Sequence, residues 1–312
     1  MENIDFNHTP VMLDECIQAL NIKPDGIYLD GTLGGAGHSS VIASKLTTGL
    51  LIGIDKDDTA LQVSQSRLSR YKCHHSLHKS DFKDYAKVLD ELGVNGLDGI
   101  LLDLGVSSYQ LDTAERGFSY RFDAPLDMRM DGTQSFSAYN VVNEYSEREL
   151  LRVLYEYGEE RFAKNIVKNI LAERKIAPIK TTGQLNKIVE CSIPRKFWGK
   201  GSPSKQTFQA IRIEVNGELK GLYDCVLSMA RKLNKGGRMA VITFHSLEDR
   251  IVKSAFKLLS SGCICDKSIP YCVCGHTQEV KLINHKPIVA SAKELQSNSR
   301  SQSAKLRIIE KI

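Results

Sequence analysis

The chain of 312 residues lacks long hydrophobic runs, and no stretch approaches the roughly 18 consecutive apolar residues that a membrane-spanning helix needs. Its first residues, MENIDFNHTP, lack both a basic start and an apolar core, so no secretory signal is expected. The eight cysteines are therefore expected to be reduced thiols or metal ligands rather than disulfides. These absences predict a cytoplasmic protein that does not bind a membrane.

Negative charge is scarce in one stretch of the chain. Residues 160–213 contain no Asp and three Glu against eight Lys and four Arg, a net charge of +9. The preceding residues, 109–159, have ten acidic and five basic side chains, a net charge of −5, so the two stretches together hold +4 of the chain's +5. Such a basic stretch attracts polyanions, although solvated helix faces would give the same count.

The most basic part of that stretch is a loop with Gly, Pro and Ser that also holds the chain's only Trp. Its basic residues surround Phe197 and Trp198, and they are Arg195, Lys196, Lys200 and Lys205. Basic side chains contact phosphates, and aromatic rings stack on unpaired bases. The loop therefore favours nucleic-acid contact over a purely structural role.

Four short apolar runs each end on a polar or acidic residue, at Asp30, Asp55, Asp103 and His245. Segments with helical spacing lie between the first three, around residues 39–45, 59–70 and 85–92. This alternation predicts a parallel sheet covered by helices on both faces. Ligands of such sheets bind at the carboxyl ends of the strands, where these acids lie.

The alternation stops after Asp103, and residues 146–215 have a helical pattern. The sheet pattern then resumes, with a helix at 218–233, a turn at 235–237, a strand at 238–245 and a helix at 247–259. The sequence thus predicts a discontinuous α/β catalytic domain, residues 1–106 and 215–312. A helical domain for substrate recognition, residues 107–214, is inserted into it.

The segment 30–38, DGTLGGAGH, joins the first strand to its helix, and its glycines let the backbone approach a ligand closely. Asp55 ends the next strand, where a carboxylate can accept both hydroxyls of a ribose. An NAD site would show G-x-G-x-x-G, which Gly35, Gly37 and Ser40 satisfy only in part. Asp30 would repel a pyrophosphate but attract the ammonium of S-adenosylmethionine. The loop therefore favours S-adenosylmethionine over NAD.

Asp103 is the candidate catalytic residue. The lone pair of an exocyclic amino group on a base is delocalised into the ring, so the amine is a poor nucleophile. A carboxylate at a strand end can accept one amino hydrogen and direct the lone pair at a methyl donor. The alternative role for Asp103 is a loop cap. Phe82, between the runs that end at Asp55 and Asp103, could contact an adenine or simply begin a helix.

Motifs that extend over nearly the whole chain resemble one family. They are residues 8–11 (HTPV), 30–38, 103–108 (DLGVSS), 115–119 (ERGFS), 125–131 (PLDMRMD), 157–162 (YGEERF), 207–210 (TFQA) with Arg212, 244–250 (FHSLEDR) and 303–307 (SAKLR). In this order they closely resemble the ribosomal RNA small subunit methyltransferase H family, also called the MraW family. The resemblance implies a Rossmann-like class I S-adenosylmethionine-dependent methyltransferase fold. It also implies methylation of N4 of a cytidine in the decoding region of 16S rRNA, with the small ribosomal subunit as partner.

The resemblance also implies site residues. Cofactor contacts fall on Gly35, Ala36, Gly37, Asp55, Phe82, Asp103 and Gln110. Asp30 and His38, the first and last residues of the loop 30–38, are further candidates. Candidate contacts to RNA are Trp198, Lys200, Lys205, Arg212, His245 and Arg250. Tyr109 stands where the family usually has Pro, which predicts a less rigid turn. Ser246 is expected to cap the helix that follows, with Asp249 three residues further on.

Four cysteines form a C-x-C-x6-C-x-C pattern: Cys263, Cys265, Cys272 and Cys274. Four thiolates within twelve residues could bind zinc tetrahedrally. Structural zinc sites usually show C-x-x-C, and the resemblance does not include a metal, so the sequence favours reduced thiols in a surface loop. A zinc site is the alternative.

Other classes stay open. A DNA amino-methyltransferase would share the chemistry but usually shows Asp/Asn-Pro-Pro-aromatic, where this chain has Asp103-Leu-Gly-Val. A nicotinamide oxidoreductase is disfavoured by the incomplete glycine pattern. A non-catalytic RNA-binding assembly factor could keep a vestigial cofactor site. Binding of S-adenosylmethionine would separate the last two.

Overall fold

The computed structural model describes residues 10–198, 201–266 and 271–312, so Lys200 and residues 8 and 9 of the first motif lie outside the described residues. The chain divides into two compact units, Met1–Gly105 with Leu219–Ile312, and Val106–Glu218. The sequence places the boundaries after residues 106 and 214. Each unit has its own hydrophobic core.

Within the described residues, eight strands of the first unit form one sheet. They are β1 (Ile27–Asp30), β2 (Leu50–Asp55), β3 (His74–Lys79), β4 (Leu97–Asp103), β5 (Leu233–Thr243), β6 (Val280–Leu282), β7 (Ile288–Val289) and β8 (Lys305–Lys311). Their order is β3-β2-β1-β4-β5-β8-β6, with β7 also paired to β8. The first five strands run parallel, and β8 is antiparallel to its partners. The predicted α/β class with a parallel sheet is confirmed.

Thirteen α-helices occur in the described residues. They are α1 (Leu13–Leu20), α2 (Gly37–Lys45), α3 (Asp58–Leu68), α4 (Tyr85–Glu91), α5 (Ser108–Asp112), α6 (Ala138–Glu144), α7 (Glu147–Glu156), α8 (Ala163–Ile176), α9 (Thr182–Ser192), α10 (Lys205–Asn216), α11 (Leu222–Arg231), α12 (Ser246–Ser260) and α13 (Ala292–Ser297). Helices α5 to α10 belong to the second unit. No described helix has the length and apolarity needed to cross a membrane.

The sheet is covered on both faces, because consecutive apolar residues in the middle of β4 are all buried. In β4, Ile100 and Leu102 belong to one buried cluster, whereas Leu101 between them belongs to another. Successive side chains of a strand point to opposite faces, so each cluster fills one side of the sheet. This burial orients the strand ends and leaves Asp30, Asp55 and Asp103 at the carboxyl edge.

The later part of the first unit differs from the sequence-based expectation. The fifth strand begins at Leu233 rather than at residue 238, and its pairing with β4 jumps from Leu97–Leu233 to Gly99–Arg238. The predicted turn at 235–237 is therefore an irregularity inside a strand, where Gly236 has φ 76°. Helix α1 and strands β6 to β8 were not predicted.

The second unit forms a helical core of its own. In α7, the buried residues Leu150, Val153 and Leu154 follow the i, i+3, i+4 spacing of a helix with one apolar face. Ser146 begins this helix through a capping box with Glu149. Helices α6 to α10 contribute buried residues to the same cluster.

Candidate active site

The first strand ends in a buried acid that shapes the following loop. Asp30 is 2% exposed, its Oδ2 accepts a hydrogen bond from Ser39 Oγ at 2.6 Å, and its Oδ1 accepts from the Thr32 amide at 3.1 Å. Burial raises the pKa of Asp30 to about 6. Both oxygens thus hold the loop and the start of α2, and a direct contact with an ammonium stays a prediction.

The loop backbone depends on left-handed residues and on a close approach. Gly34 has φ 51° and donates its amide to Asp55 Oδ2 at 2.7 Å. Ala36, the N-cap of α2, has φ 56°, a left-handed conformation that is unfavourable for a residue with a Cβ. A Cβ on Gly37 would lie 2.3 Å from Cγ of Pro10. The backbone can take this path only with glycine at position 37.

Asp55 and Phe82 lie beside the loop. Asp55 Oδ1 accepts from the Asp57 amide at 2.9 Å, so both of its oxygens accept backbone hydrogen bonds. Burial raises the pKa of Asp55. Phe82 begins a short 3-10 helix after β3, and a Cβ on Gly31 would lie 3.1 Å from the Phe82 Cβ.

Asp103 ends β4, the strand next to β1. Its amide donates to Thr32 Oγ1 at 2.6 Å, which ties this strand end to the loop. Its Oδ1 is buried and has no hydrogen-bond partner among the described residues. Burial raises the pKa of Asp103 to about 8, with further contributions from the charges of Asp30 and Glu248.

His38 gives Asp103 no compensating charge. Its Nδ1 lies 3.9 Å from Asp103 Oδ2, which is too long for a hydrogen bond. Its Nε2 lies 3.0 Å from the carbonyl oxygen of Val11. Burial lowers the pKa of His38 to about 4, so the ring is neutral at pH 7.

A second buried acid near Asp103 was missed by the sequence analysis. Glu248 in α12 is 1% exposed, and its Oε2 accepts from the amides of Phe244 at 2.8 Å and His245 at 3.3 Å. In return, His245 Nδ1 accepts from the Glu248 amide at 3.5 Å, which makes His245 the N-cap of α12. A Glu three residues after a possible cap was the available signal.

The predicted cap of α12 is therefore wrong by one residue. Ser246 is the first residue of the helix, and Asp249 instead receives two hydrogen bonds from Arg307 in β8, at 2.7 and 3.1 Å. The side chain of His245 is 7% exposed and occupied by capping. Its contact with a base stays a prediction, as does the contact of the exposed Arg250 with phosphate.

Gln110 lies in the second unit, in α5. Its Oε1 accepts from the Ser107 amide at 3.1 Å, and its own amide donates to Ser107 Oγ at 3.2 Å. These two bonds form a capping box, for which the spacing Ser-x-x-Gln is the sequence signal. The cofactor contact of Gln110 stays a prediction.

Among the aromatics of the basic loop, the exposed ring is Phe197 rather than Trp198. The Trp198 indole donates to the Ile193 carbonyl at 2.9 Å and packs against the core of the second unit. Phe197 is 47% exposed, with Lys196 Nζ 5.1 Å and the Arg161 guanidinium 5.9 Å from its ring centre. Phe197 is therefore the more accessible ring for stacking, and the contact of Trp198 with RNA stays a prediction.

The remaining predicted RNA contacts have different surroundings. Arg212 is bound by both oxygens of Glu218 at 2.8 Å, with its side chain 15% exposed, so this geometry gives no support to a phosphate contact. Lys205 is exposed at the start of α10 and lines a cavity of about 310 Å³. Arg161, Phe197 and Gln206 line the same cavity.

The acids of the first unit indicate which ligand would fit. The charges of Asp30 and Glu248 help to raise the pKa of Asp103, and the nearby His38 is neutral. A pyrophosphate would add negative charge to this cluster, whereas a sulfonium or an ammonium would compensate it. The unpartnered Oδ1 of Asp103 fits a cationic ligand that also donates hydrogen bonds. The residues present therefore suit S-adenosylmethionine.

A parallel sheet with a glycine-containing loop after its first strand and acids at three strand ends defines the class as a Rossmann-like, S-adenosylmethionine-dependent methyltransferase. The family model described as "MraW methylase family" matches residues 5–312. The chain belongs to this family, which confirms the resemblance seen in its motifs.

Similar curated proteins are alike over their full length. The chain is 53% identical over 311 residues to "Ribosomal RNA small subunit methyltransferase H" of Lachnospira eligens, covering 99% of both chains. It is 52% identical to the protein of that name from Clostridioides difficile, over 99% of this chain and 100% of the relative. It is 50% identical to that from Brevibacillus brevis, over 100% of both.

The contact between Gly37 and Pro10 gives a testable prediction for the loop. We expect Gly37→Ala to lower the free energy of unfolding by about 1–3 kcal/mol and to weaken S-adenosylmethionine binding, because the added methyl forces the loop away from Pro10. Urea unfolding and calorimetry measure the two effects. Gly132→Ala, where a Cβ meets nothing within 4 Å, is the control. Equal stability and affinity in the two variants would contradict this account.

Proposed function

We propose that this protein transfers a methyl group from S-adenosylmethionine to N4 of a cytidine in the decoding region of 16S rRNA. The observation that carries the proposal is Asp103, a half-buried acid at the end of β4 whose buried Oδ1 has no partner among the described residues. The names of the curated relatives support ribosomal RNA of the small subunit as the substrate.

We assign the cofactor to the loop edge of the first unit. The backbone of Gly35, Ala36 and Gly37 would border it, and the remaining lone pairs of Asp55 would accept the ribose hydroxyls. Phe82 would contact the adenine. When bound, the cofactor supplies an electrophilic methyl group on a positively charged sulfur. Gln110 is a further cofactor contact that the family resemblance implies.

Asp103 would act on the acceptor amine. Its carboxylate accepts one amino hydrogen, which localises the nitrogen lone pair and orients it for attack. The positive charge of the ligand favours the ionised form of Asp103, because an opposite charge lowers a carboxyl pKa. After transfer the nitrogen carries an extra proton. The high pKa of Asp103, about 8 without ligand, suits it to take that proton.

The second unit would recognise RNA through its basic stretch. Lys196, Phe197 and Arg161 present two cations and one exposed ring together, beside the cavity that Lys205 lines. Cations position the phosphate backbone, and an exposed ring stacks on an unpaired base. Trp198 would support this surface from beneath, through its hydrogen bond to Ile193.

A methyl-transfer assay tests the reaction, the base and the residue together. Labelled S-adenosylmethionine is offered with unmodified small ribosomal subunits, stripped 16S rRNA or duplex DNA, and each acceptor is digested to nucleosides. We expect label in N4-methylcytidine from RNA. Asp103→Asn is expected to lower kcat by about 10²–10⁴-fold, because the amide cannot take the amino proton.

The exposed Asp90 offers a matched control. Asp90→Asn should keep the wild-type kcat. Label in DNA would favour the DNA amino-methyltransferase, and cofactor binding without label in any acceptor would favour the assembly factor. Wild-type turnover by folded Asp103→Asn protein would exclude the assigned role.

Charge reversal tests the RNA surface. We expect Lys196→Glu combined with Lys205→Glu to weaken rRNA binding and to reduce the slope of log K against log salt by roughly 0.7–0.9 per lost phosphate contact. Filter binding over a range of salt concentrations measures both quantities. Lys45→Glu, an exposed reversal in the first unit, should leave both unchanged. Equal losses in the two proteins would assign the effect to net charge alone.

A further inference from the structure

Four cysteines that the methyl-transfer site does not use come together between α12 and β6. Their sulfur atoms all lie within 4.8 Å of one another. Four of the separations are 3.5 Å for Cys263–Cys272, 3.9 Å for Cys263–Cys274, 4.0 Å for Cys265–Cys272 and 3.6 Å for Cys272–Cys274. The chain thus gathers residues that are up to eleven positions apart around one point.

These separations match a shared metal ion better than disulfide bonds. Zinc binds thiolate sulfur at about 2.3 Å, and the corners of a regular tetrahedron of that radius are about 3.8 Å apart. The four measured distances fall on both sides of this value. A disulfide requires sulfur atoms about 2.05 Å apart, and the four cysteines are free thiols in the structure.

Backbone amides point at the sulfur atoms. Cys274 Sγ accepts from the amides of Ile264 and His276 at 3.5 Å each. Cys263 Sγ accepts from the Cys265 amide at 3.4 Å, and Cys265 Sγ accepts from the Val273 amide at 3.3 Å. Such donors favour the thiolate, which is the form that binds a metal.

The described part of the loop has little apolar packing to hold it in place. Three apolar side chains between the cysteines are exposed, at 52% for Ile264, 81% for Tyr271 and 75% for Val273. The loop is tied to the end of α12 by His276, whose Nε2 lies 2.9 Å from the Leu258 carbonyl oxygen, and by the Glu279 amide, which donates to Leu259. A segment without a core of its own needs a cross-link or a metal to fix its fold.

We propose that Cys263, Cys265, Cys272 and Cys274 bind one Zn²⁺ as a closed structural site. Four thiolates fill the tetrahedron and leave no position for water or substrate, so the ion stabilises the loop and takes no part in methyl transfer. The sequence spacing favoured reduced thiols, because C-x-C is not the usual zinc pattern. The three-dimensional arrangement of the sulfur atoms favours the zinc site instead.

Metal analysis of the full chain, purified without chelator, tests the site. We expect about one zinc per chain in the wild type and a loss to near zero in Cys265→Ser combined with Cys272→Ser. Cys191→Ser removes an exposed cysteine outside the cluster and should keep the zinc. Reconstitution of the wild-type protein with Co²⁺ should give the thiolate-to-metal charge-transfer band of a tetrahedral tetrathiolate site, a readout that needs no variant.

Each other outcome overturns the proposal. A wild-type protein without zinc that gives no cobalt band after full reduction has free thiols at this loop. Zinc retained by the folded double variant would assign the ion to other ligands. Iron instead of zinc would refute the identity of the metal, and a mass showing disulfides would refute the thiolate site.

Discussion

The structure depends on acidic side chains that meet at the carboxyl edge of the sheet without a compensating cation among the described residues. The adjacency of β1 and β4 brings Asp30 and Asp103 together, and the start of α12 adds Glu248. Folding alone does not satisfy this arrangement, since Asp103 Oδ1 has no partner among the described residues. A buried polar group in that condition costs free energy until a ligand binds it. The fold thus favours the binding of a cationic ligand that donates hydrogen bonds to Asp103.

The same constraint connects cofactor choice to catalysis. A ligand with a positive sulfur relieves the repulsion among the acids, whereas a dinucleotide would increase it. The acid that gains most from this relief is Asp103, which is also the residue proposed to accept a proton from the attacking amine. The cluster of acids around Asp103 therefore favours a cationic methyl donor, and it also raises the pKa of the proposed proton acceptor.

The strand ends were predictable because the short apolar runs stop at acids. Such continuous apolar runs are typical of strands in a sheet that is covered on both faces. The roles of single side chains were harder to predict from the sequence. The capping pair of His245 and Glu248 was missed because a histidine cap gives a weak pattern, and the exposure of Phe197 rather than Trp198 depends on packing that local sequence does not encode. The cysteine spacing likewise gave no information on how the sulfur atoms converge in space.

The central claim is that Asp103 and the positive charge of the methyl donor interact. Calorimetry of S-adenosylmethionine and S-adenosylhomocysteine from pH 6 to pH 9, in buffers of different ionisation enthalpy, tests it directly. Below the Asp103 pKa of about 8 the free carboxyl holds a proton, so binding of the sulfonium form should release it. The preference for S-adenosylmethionine should then rise with pH, by at most about tenfold per pH unit, and level off above that pKa. This pH dependence should vanish in Asp103→Asn. Equal proton release with both ligands, unchanged in the variant, would contradict the account.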